Sequence, residues 1–239
     1  MENRSDIKIS GSGNIGNGIY NDIKISGSGR ASGDIDAIRV HVSGSGQFQN
    51  VRAEEMHISG SSHIDGNLTG GSFHVSGSAH ISGIIELDSL HISGSLHAHS
   101  GVRARTIRAS GSISVTNDIE CEEMKAAGAV HTDGLLNADT LEISLSGNCK
   151  IGEIGGCTIR ISAPEYSPNF FSRLFSHARS RTLTCNTIEA NDISIENTIA
   201  KSVHGKNVII GKGCKIDSVE YTDTISIDPD AEVGGYVKI

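Results

Sequence analysis

Apolar and polar positions alternate along most of the chain in short patches, and the patches recur. The segment apolar-x-apolar-Ser-Gly-Ser reads IKISGS at 7–12 and 23–28, VHVSGS at 40–45, MHISGS at 56–61, FHVSGS at 73–78, LHISGS at 90–95 and IRASGS at 107–112. A worn copy, MKAAGA, follows at 124–129, and LEISLSG arrives at 141–147 after a small insertion. The glycines Gly11, Gly27, Gly44, Gly60, Gly77, Gly94, Gly111 and Gly128 step along the chain in intervals of 16 or 17. Counted from each glycine, positions −4 and −2 are apolar, as in Leu90 and Ile92. Positions +2 and +4 are small or apolar, as in Ile113 and Val115, and position +8 is apolar in most copies, as in Ile85 and Val102. Alternation with period two predicts short strands that bury one face. Three such strands in each turn of about 17 residues predict an all-β, three-sided β-solenoid. Stacked turns bury a continuous Ile/Val ladder that a single turn cannot. Gly and Ser are expected where the chain bends between faces, Gly because it tolerates positive φ.

Residues 163–182 (APEYSPNFFSRLFSHARSRT) break the pattern, which resumes at 183. The expected organisation is β-helix coils over 1–162, a short irregular or helical insertion over 163–182, and coils of the same solenoid over 183–239. Composition agrees with strands. Ile (32) and Val (12) outnumber Leu (10) more than four to one among the 239 residues, the bias of pleated structure. Gly (29) and Ser (33) make up about a quarter of the chain, which without that bias would suggest disorder.

Charge and motifs exclude several classes. With 20 Lys+Arg against 28 Asp+Glu the net charge is −8, and only 4% of residues are aromatic, so nucleic acid is not an expected partner. No run of 18 apolar residues forms a membrane span, and MENRSDIKIS lacks the order of a secretion signal, so a cytoplasmic location is expected. The five cysteines (121, 149, 157, 185 and 214) form no C-x-x-C pair and are expected as reduced, mostly buried thiols. Gly11-Ser12-Gly13-Asn14-Ile15-Gly16 spells a dinucleotide fingerprint, but no helix pattern follows it and its Ser-Gly-Ser corner recurs throughout, so it reads as structure. There is no phosphate-binding GxxxxGK[ST], no GxSxG and no HExxH. The chain is therefore expected not to be an enzyme and to need no nucleotide, metal or cofactor.

Eight of the 11 histidines fall in two columns. Position −3 reads Lys8, Lys24, His41, His57, His74, His91, Arg108, Lys125, and position +3 reads Asn14, Arg30, Gln47, His63, His80, His97, Ser114, His131. Position −3 lies between two inward residues and so points outward, with imidazoles of adjacent coils about 5 Å apart. A solvated ladder is favoured over a metal ladder, and a stripe of this kind could touch an acidic surface more strongly once protonated. Inside the insertion, Phe170, Phe171, Leu174, Phe175 and Ala178 fall at helical spacing beside Arg173 and Arg179. Packing over the solenoid and contact with anionic lipid through Phe170, Phe171, Arg173, Leu174, Phe175 and Arg179 are both open readings. Neither end of the coil pattern carries an amphipathic cap, which favours stacking of subunit on subunit. The expected polymer contacts are Ile7 and Ile9 at one end and Ile225, Ile227, Val237 and Ile239 at the other.

The three-sided solenoid of about 17 residues per turn, free of enzymatic motifs, resembles the bactofilins. Val208-Ile209-Ile210-Gly211-Lys212-Gly213-Cys214-Lys215-Ile216 and Ile225-Ser226-Ile227-Asp228-Pro229-Asp230-Ala231-Glu232-Val233-Gly234 are similar to that family's closing coils. The resemblance implies a right-handed parallel β-helix and nucleotide-independent, end-to-end filaments. It also implies bacterial roles in cell shape, envelope organisation or motility, with the chain itself, a paralogous bactofilin or the inner face of the membrane as partners. Typical members have a shorter solenoid flanked by Pro-rich tails, and the internal insertion is unusual. A competing resemblance is to acyltransferases of the left-handed β-helix type, suggested by the hexapeptide-like VIIGKG (208–213) with His204 as the base. Those enzymes resemble strict runs of hexads, three to a turn, which this chain lacks.

Overall fold

The computed structural model describes residues 4–163 and 181–239. Within them the protein is all β, without a helix: 23 strands in one continuous parallel ladder of about 13 turns. The repeat unit is plain in the middle of the chain. A four-residue strand such as β12 (Ser95–Ala98) is followed by an eight-residue strand such as β13 (Val102–Ala109), and each pairs with its equivalent one turn earlier and later. The eight-residue strands bend in the middle. Leu87 pairs with Ala104 and Ser89 with Thr106, but Asp88 and Arg105 do not pair, so the turn has three legs.

Register places like on like. Ile23, Val40, Met56, Phe73, Leu90, Ile107 and Met124 stack as one inward column, each essentially inaccessible to water. Phe48 and Phe73 are the largest of the fully buried side chains among the described residues. Inward residues also occupy the start of each long strand, as with Ile85 and Leu87 or Val102 and Ala104. The register survives the insertion: Ile154 pairs with Ile188 and Ile159 with Ile193. Ala163 N–H is held by the Glu196 carboxylate (2.9 Å), and Cys149 N–H bonds Thr182 O (3.0 Å), so both flanks of the insertion lie at the corner that elsewhere carries Ser-Gly. The candidate lipid contacts Phe170, Phe171, Arg173, Leu174, Phe175 and Arg179 lie outside the described residues, as does most of the expected helical or irregular insertion.

The corner glycines are needed for a different reason from the one expected. Among the described glycines only Gly70 (φ 146°) and Gly213 (φ 70°) have positive φ. At the Ser-Gly corners the constraint is contact between rungs. A Cβ on Gly44 would lie 2.0 Å from Gly27 O, and one on Gly77 would lie 1.9 Å from Gly60 O. Only hydrogen allows the corners to stack this closely while Ser45 N–H bonds Gly27 O (2.8 Å) and Ser78 N–H bonds Gly60 O (2.9 Å).

Candidate functional site: the open ends and the histidine columns

Among the described residues, the ladder stops at two turns whose legs pair on one side only. At the N-terminal end, β1 (Ser5–Ile9) pairs with β3 (Gly18–Ile25), and β2 (Ser12–Ile15) with β4 (Ser28–Ala31). At the C-terminal end, β22 (Glu232–Val233) and β23 (Tyr236–Lys238) pair only with β21 (Lys215–Ile227). The 225–227 leg of β21 pairs only with β20 (Thr198–Ile210). Ile7 and Ile9 extend the inward columns at one end, Ile9 buried and Ile7 half-buried. Ile225 and Ile227 extend them at the other, stacked on Val208 and Ile210 and half-buried.

The final strand takes its phase from β21. Tyr236 pairs with Val219 and Lys238 with Tyr221, which puts those two on the inward positions. Val237 pairs with Glu220 and so continues an outward column. Tyr236, Val237 and Ile239 are 62%, 51% and 70% exposed, a patch of large apolar groups at the tip. The last strand alternates too briefly to fix its own phase in the sequence; pairing with Val219 one rung away fixes it.

At the N-terminal tip Gly11 is the only Ser-Gly corner glycine among the described residues whose added Cβ would meet nothing within 4 Å. Its equivalents are pressed on the corner before them, so this face of the first turn is open.

The histidine columns form as the spacing predicts. In the first, His41, His57, His74 and His91 stack with ring centroids 5.1, 4.5 and 4.8 Å apart and planes within 15° of parallel. In the second, His63, His80 and His97 are 6.4 and 4.8 Å apart. Burial, then the like charges of His57 and His91, push the His74 imidazole below its ordinary value. Burial, then His97, His63 and His99, do the same to His80. Glu55 sits 2.7 Å from His57 and that hydrogen bond holds its carboxyl below the usual range. Parallel rings aim their lone pairs in one direction instead of converging. Among the described residues no group of three or more His, Cys, Asp or Glu is placed to hold a metal ion.

His204, the base of the acyltransferase resemblance, lies on an outward column with Nδ1 3.1 Å from the Glu220 carboxylate. Cys149, Cys185 and Cys214 are buried, Cys121 is half-buried and Cys157 is exposed, all as free thiols. Burial pushes the Cys121 and Cys185 thiols up to about 12. No helix among the described residues is long and apolar enough to cross a membrane.

Comparison with known proteins adds two relatives. The chain is similar to YhbF of Bacillus subtilis (strain 168), 36% identical over 107 residues, which cover 44% of this chain and 42% of YhbF. It is also similar to YhbE of the same strain, 37% identical over 107 residues, covering 44% of each. Both carry the description "uncharacterized protein". The matched stretch spans less than half the length of either relative. No family model matches the chain, and no solved structure matches it.

Proposed function

We propose that this chain is a structural protein that assembles end to end into filaments without nucleotide, as the resemblance to bactofilins implies, serving bacterial cell shape, envelope organisation or motility. The observation that carries the reading is the pair of open end turns. Among the described residues, two legs at the N-terminal end and three at the C-terminal end pair on one side only, beside half-buried Ile7, Ile225 and Ile227 and exposed Tyr236 and Val237. Unpaired strand edges of this kind are templates for another strand, and pairing them buries the apolar tips at the same time. Among the described residues, the leg that would follow Tyr236–Lys238 in the wind is the equivalent of the Ile7–Ile9 leg, so a second copy stacked head to tail would continue it. A right-handed wind and a paralogous or membrane partner belong to the same proposal.

The test is negative-stain microscopy of the purified chain without nucleotide or metal, beside Gly11→Ala and Ile227→Asp. Filaments from the wild type, reduced to short particles in both variants at unchanged circular dichroism, are the expected result. Filaments persisting in both variants would overturn the end contacts. Discrete trimers that turn over acetyl-CoA would replace the reading with the acyltransferase one.

A further inference from the structure

The outward face that carries the first histidine column has a feature that a merely solvated ladder does not need. Eight successive rungs present Lys8, Lys24, His41, His57, His74, His91, Arg108 and Lys125 in strict register. Seven steps of about 4.8 Å make the column about 34 Å long. Towards its flanks Lys24 and Lys125, though not Lys8, are matched by carboxylates. Lys24 donates to Asp22 (2.7 Å), Arg39 lies 3.7 Å from Asp22, and Lys125 meets Glu123 (3.2 Å) and Glu142 (3.4 Å).

Between those flanks the carboxylates disappear. The column two residues before the histidines runs Glu55, Ser72, Ser89, Thr106, Glu123. The column two residues after them runs Ser59, Ser76, Ser93, Ser110, all exposed. His74, His91 and Arg108 are thus lined on both sides by hydroxyls. Arg108 has no ion pair or hydrogen-bond partner for its side chain among the described residues, in a chain whose net charge is −8. A shallow cleft of about 350 Å³ runs past His91, Ser93, Arg108, Ser110 and Lys125, with Glu142, paired to Lys125, at its far end.

We propose that this strip binds a linear inorganic phosphate chain laid along the solenoid axis, with Arg108 and the histidine column as its charged contacts and the serine column as hydroxyl donors. The shape of the strip selects this ligand over other anions. Its cationic column is one side chain wide, and Glu55, Glu123 and Glu142 lie close to its line, so a broad anionic plane such as a bilayer would meet carboxylates that a narrow chain passes. No Phe, Tyr or Trp side chain among the described residues is exposed on this face, and the imidazoles already stack on one another; Phe48 and Phe73 point inward. An extended acidic peptide presents side chains on one face only every ~6.8 Å, out of step with the rungs.

The ligand also resolves a conflict within the column. Stacked imidazoles oppose one another's protonation. Among the described residues the carboxylates against them are Glu55, beside His57, and Asp22, which faces His41 and is already paired with Lys24 and Arg39. A phosphate chain supplies the missing counter-charge along the whole column. Binding then takes up protons, and by linkage affinity rises as the pH falls.

The experiment is titration of the full chain with inorganic polyphosphate of about a hundred units, at pH 8 and pH 6. Orthophosphate, double-stranded DNA, poly-glutamate and phosphatidylglycerol vesicles serve as competitors. Polyphosphate is expected to bind at least about tenfold more tightly at pH 6, weakening with salt. The triple variant His74→Gln/His91→Gln/Arg108→Gln, folded by circular dichroism, is expected to lose most of that binding. His80→Gln/His97→Gln, on the second column, is expected to keep it. No binding at either pH, or equal loss in both variants, overturns the proposal. Displacement by orthophosphate at the same phosphate concentration would reassign the strip to single oxyanions. Equal or stronger binding of DNA, poly-glutamate or vesicles would reject the inorganic chain.

Discussion

Adding a single methyl group at Gly77 tests whether rung-to-rung contact, and not backbone freedom, explains the corner glycines. In Gly77→Ala the new Cβ would start 1.9 Å from Gly60 O and 2.5 Å from Ser59 O. Real carbon–oxygen contacts stand more than an ångström farther apart, so the corner must move. That movement strains the bonds from Gly77 N–H to Ile58 O (3.1 Å) and from Ser78 N–H to Gly60 O (2.9 Å). Overpacking costs about 1–3 kcal/mol and two weakened hydrogen bonds cost about 1 kcal/mol each. The stiffer unfolded chain returns roughly 0.4–1 kcal/mol. The net loss is about 2–5 kcal/mol, or roughly 4–20 °C of melting temperature for a chain of this size. Gly11→Ala makes the same chemical change where nothing lies within 4 Å, and is expected to leave the melting temperature unchanged. Thermal denaturation followed by circular dichroism, on protein dilute enough to be unassembled, separates the two. Equal melting of Gly77→Ala and wild type, or equal loss in both variants, would refute the argument.

Further predictions come from other columns. Phe73→Ala empties a fully buried position and is expected to cost about 3–5 kcal/mol in urea denaturation. Because the folded-state pKa values of His74 and His80 lie below their unfolded value near 6.5, the unfolded chain takes up their protons first. Without ligand, stability is therefore expected to be flat above that pH and to fall as the pH drops through it towards the folded values, and His74→Gln/His80→Gln should flatten the slope. Native protein is expected to react with a thiol reagent chiefly at Cys157, since Cys121 and Cys185 are held near pKa 12; peptide mapping after labelling with and without urea would check it. Asn67→Ala removes the Oδ1 that accepts Ile84 N–H (2.9 Å) at an exposed corner, and is expected to cost on the order of 1 kcal/mol.

The inward columns are legible in the sequence because alternation is a local property. Leu90, Ile92, Leu96 and Val102 declare their faces within a few residues, and the glycine spacing does the rest. What one turn says nothing about is its contact with the next. The reason for the glycines escapes a sequence reading because the atom that excludes a Cβ, Gly60 O beneath Gly77, lies a full turn back along the chain. The bend at Asp88 falls between the two patches that the sequence separates, at Asp88-Ser89, residue types that favour turns. The phase of Tyr236 and Val237 depends on pairing with β21, where sequence alternation offers too short a run to decide it. The histidine columns are visible, but the loss of carboxylates beside them emerges only when Ser72, Ser89 and Thr106 are set side by side.

The pairing of Ile154 with Ile188 across the insertion makes the solenoid a ruler with a counting unit. The partners stand two ordinary repeats apart in the sequence yet only one rung apart in the ladder, and the segment numbered 164–180 is surplus to the register. Length along the axis is thus set by how many coils the chain contains, and decoration at a corner leaves that count untouched. Removing one whole repeat between neighbouring corners, such as 61–77, should shorten the rod by a single rung of about 4.8 Å while every remaining column meets its own kind. Removing one residue fewer or more from within a leg would turn inward residues outward from that point to the next corner. The molecule can therefore change its reach in discrete steps without redesigning its surface.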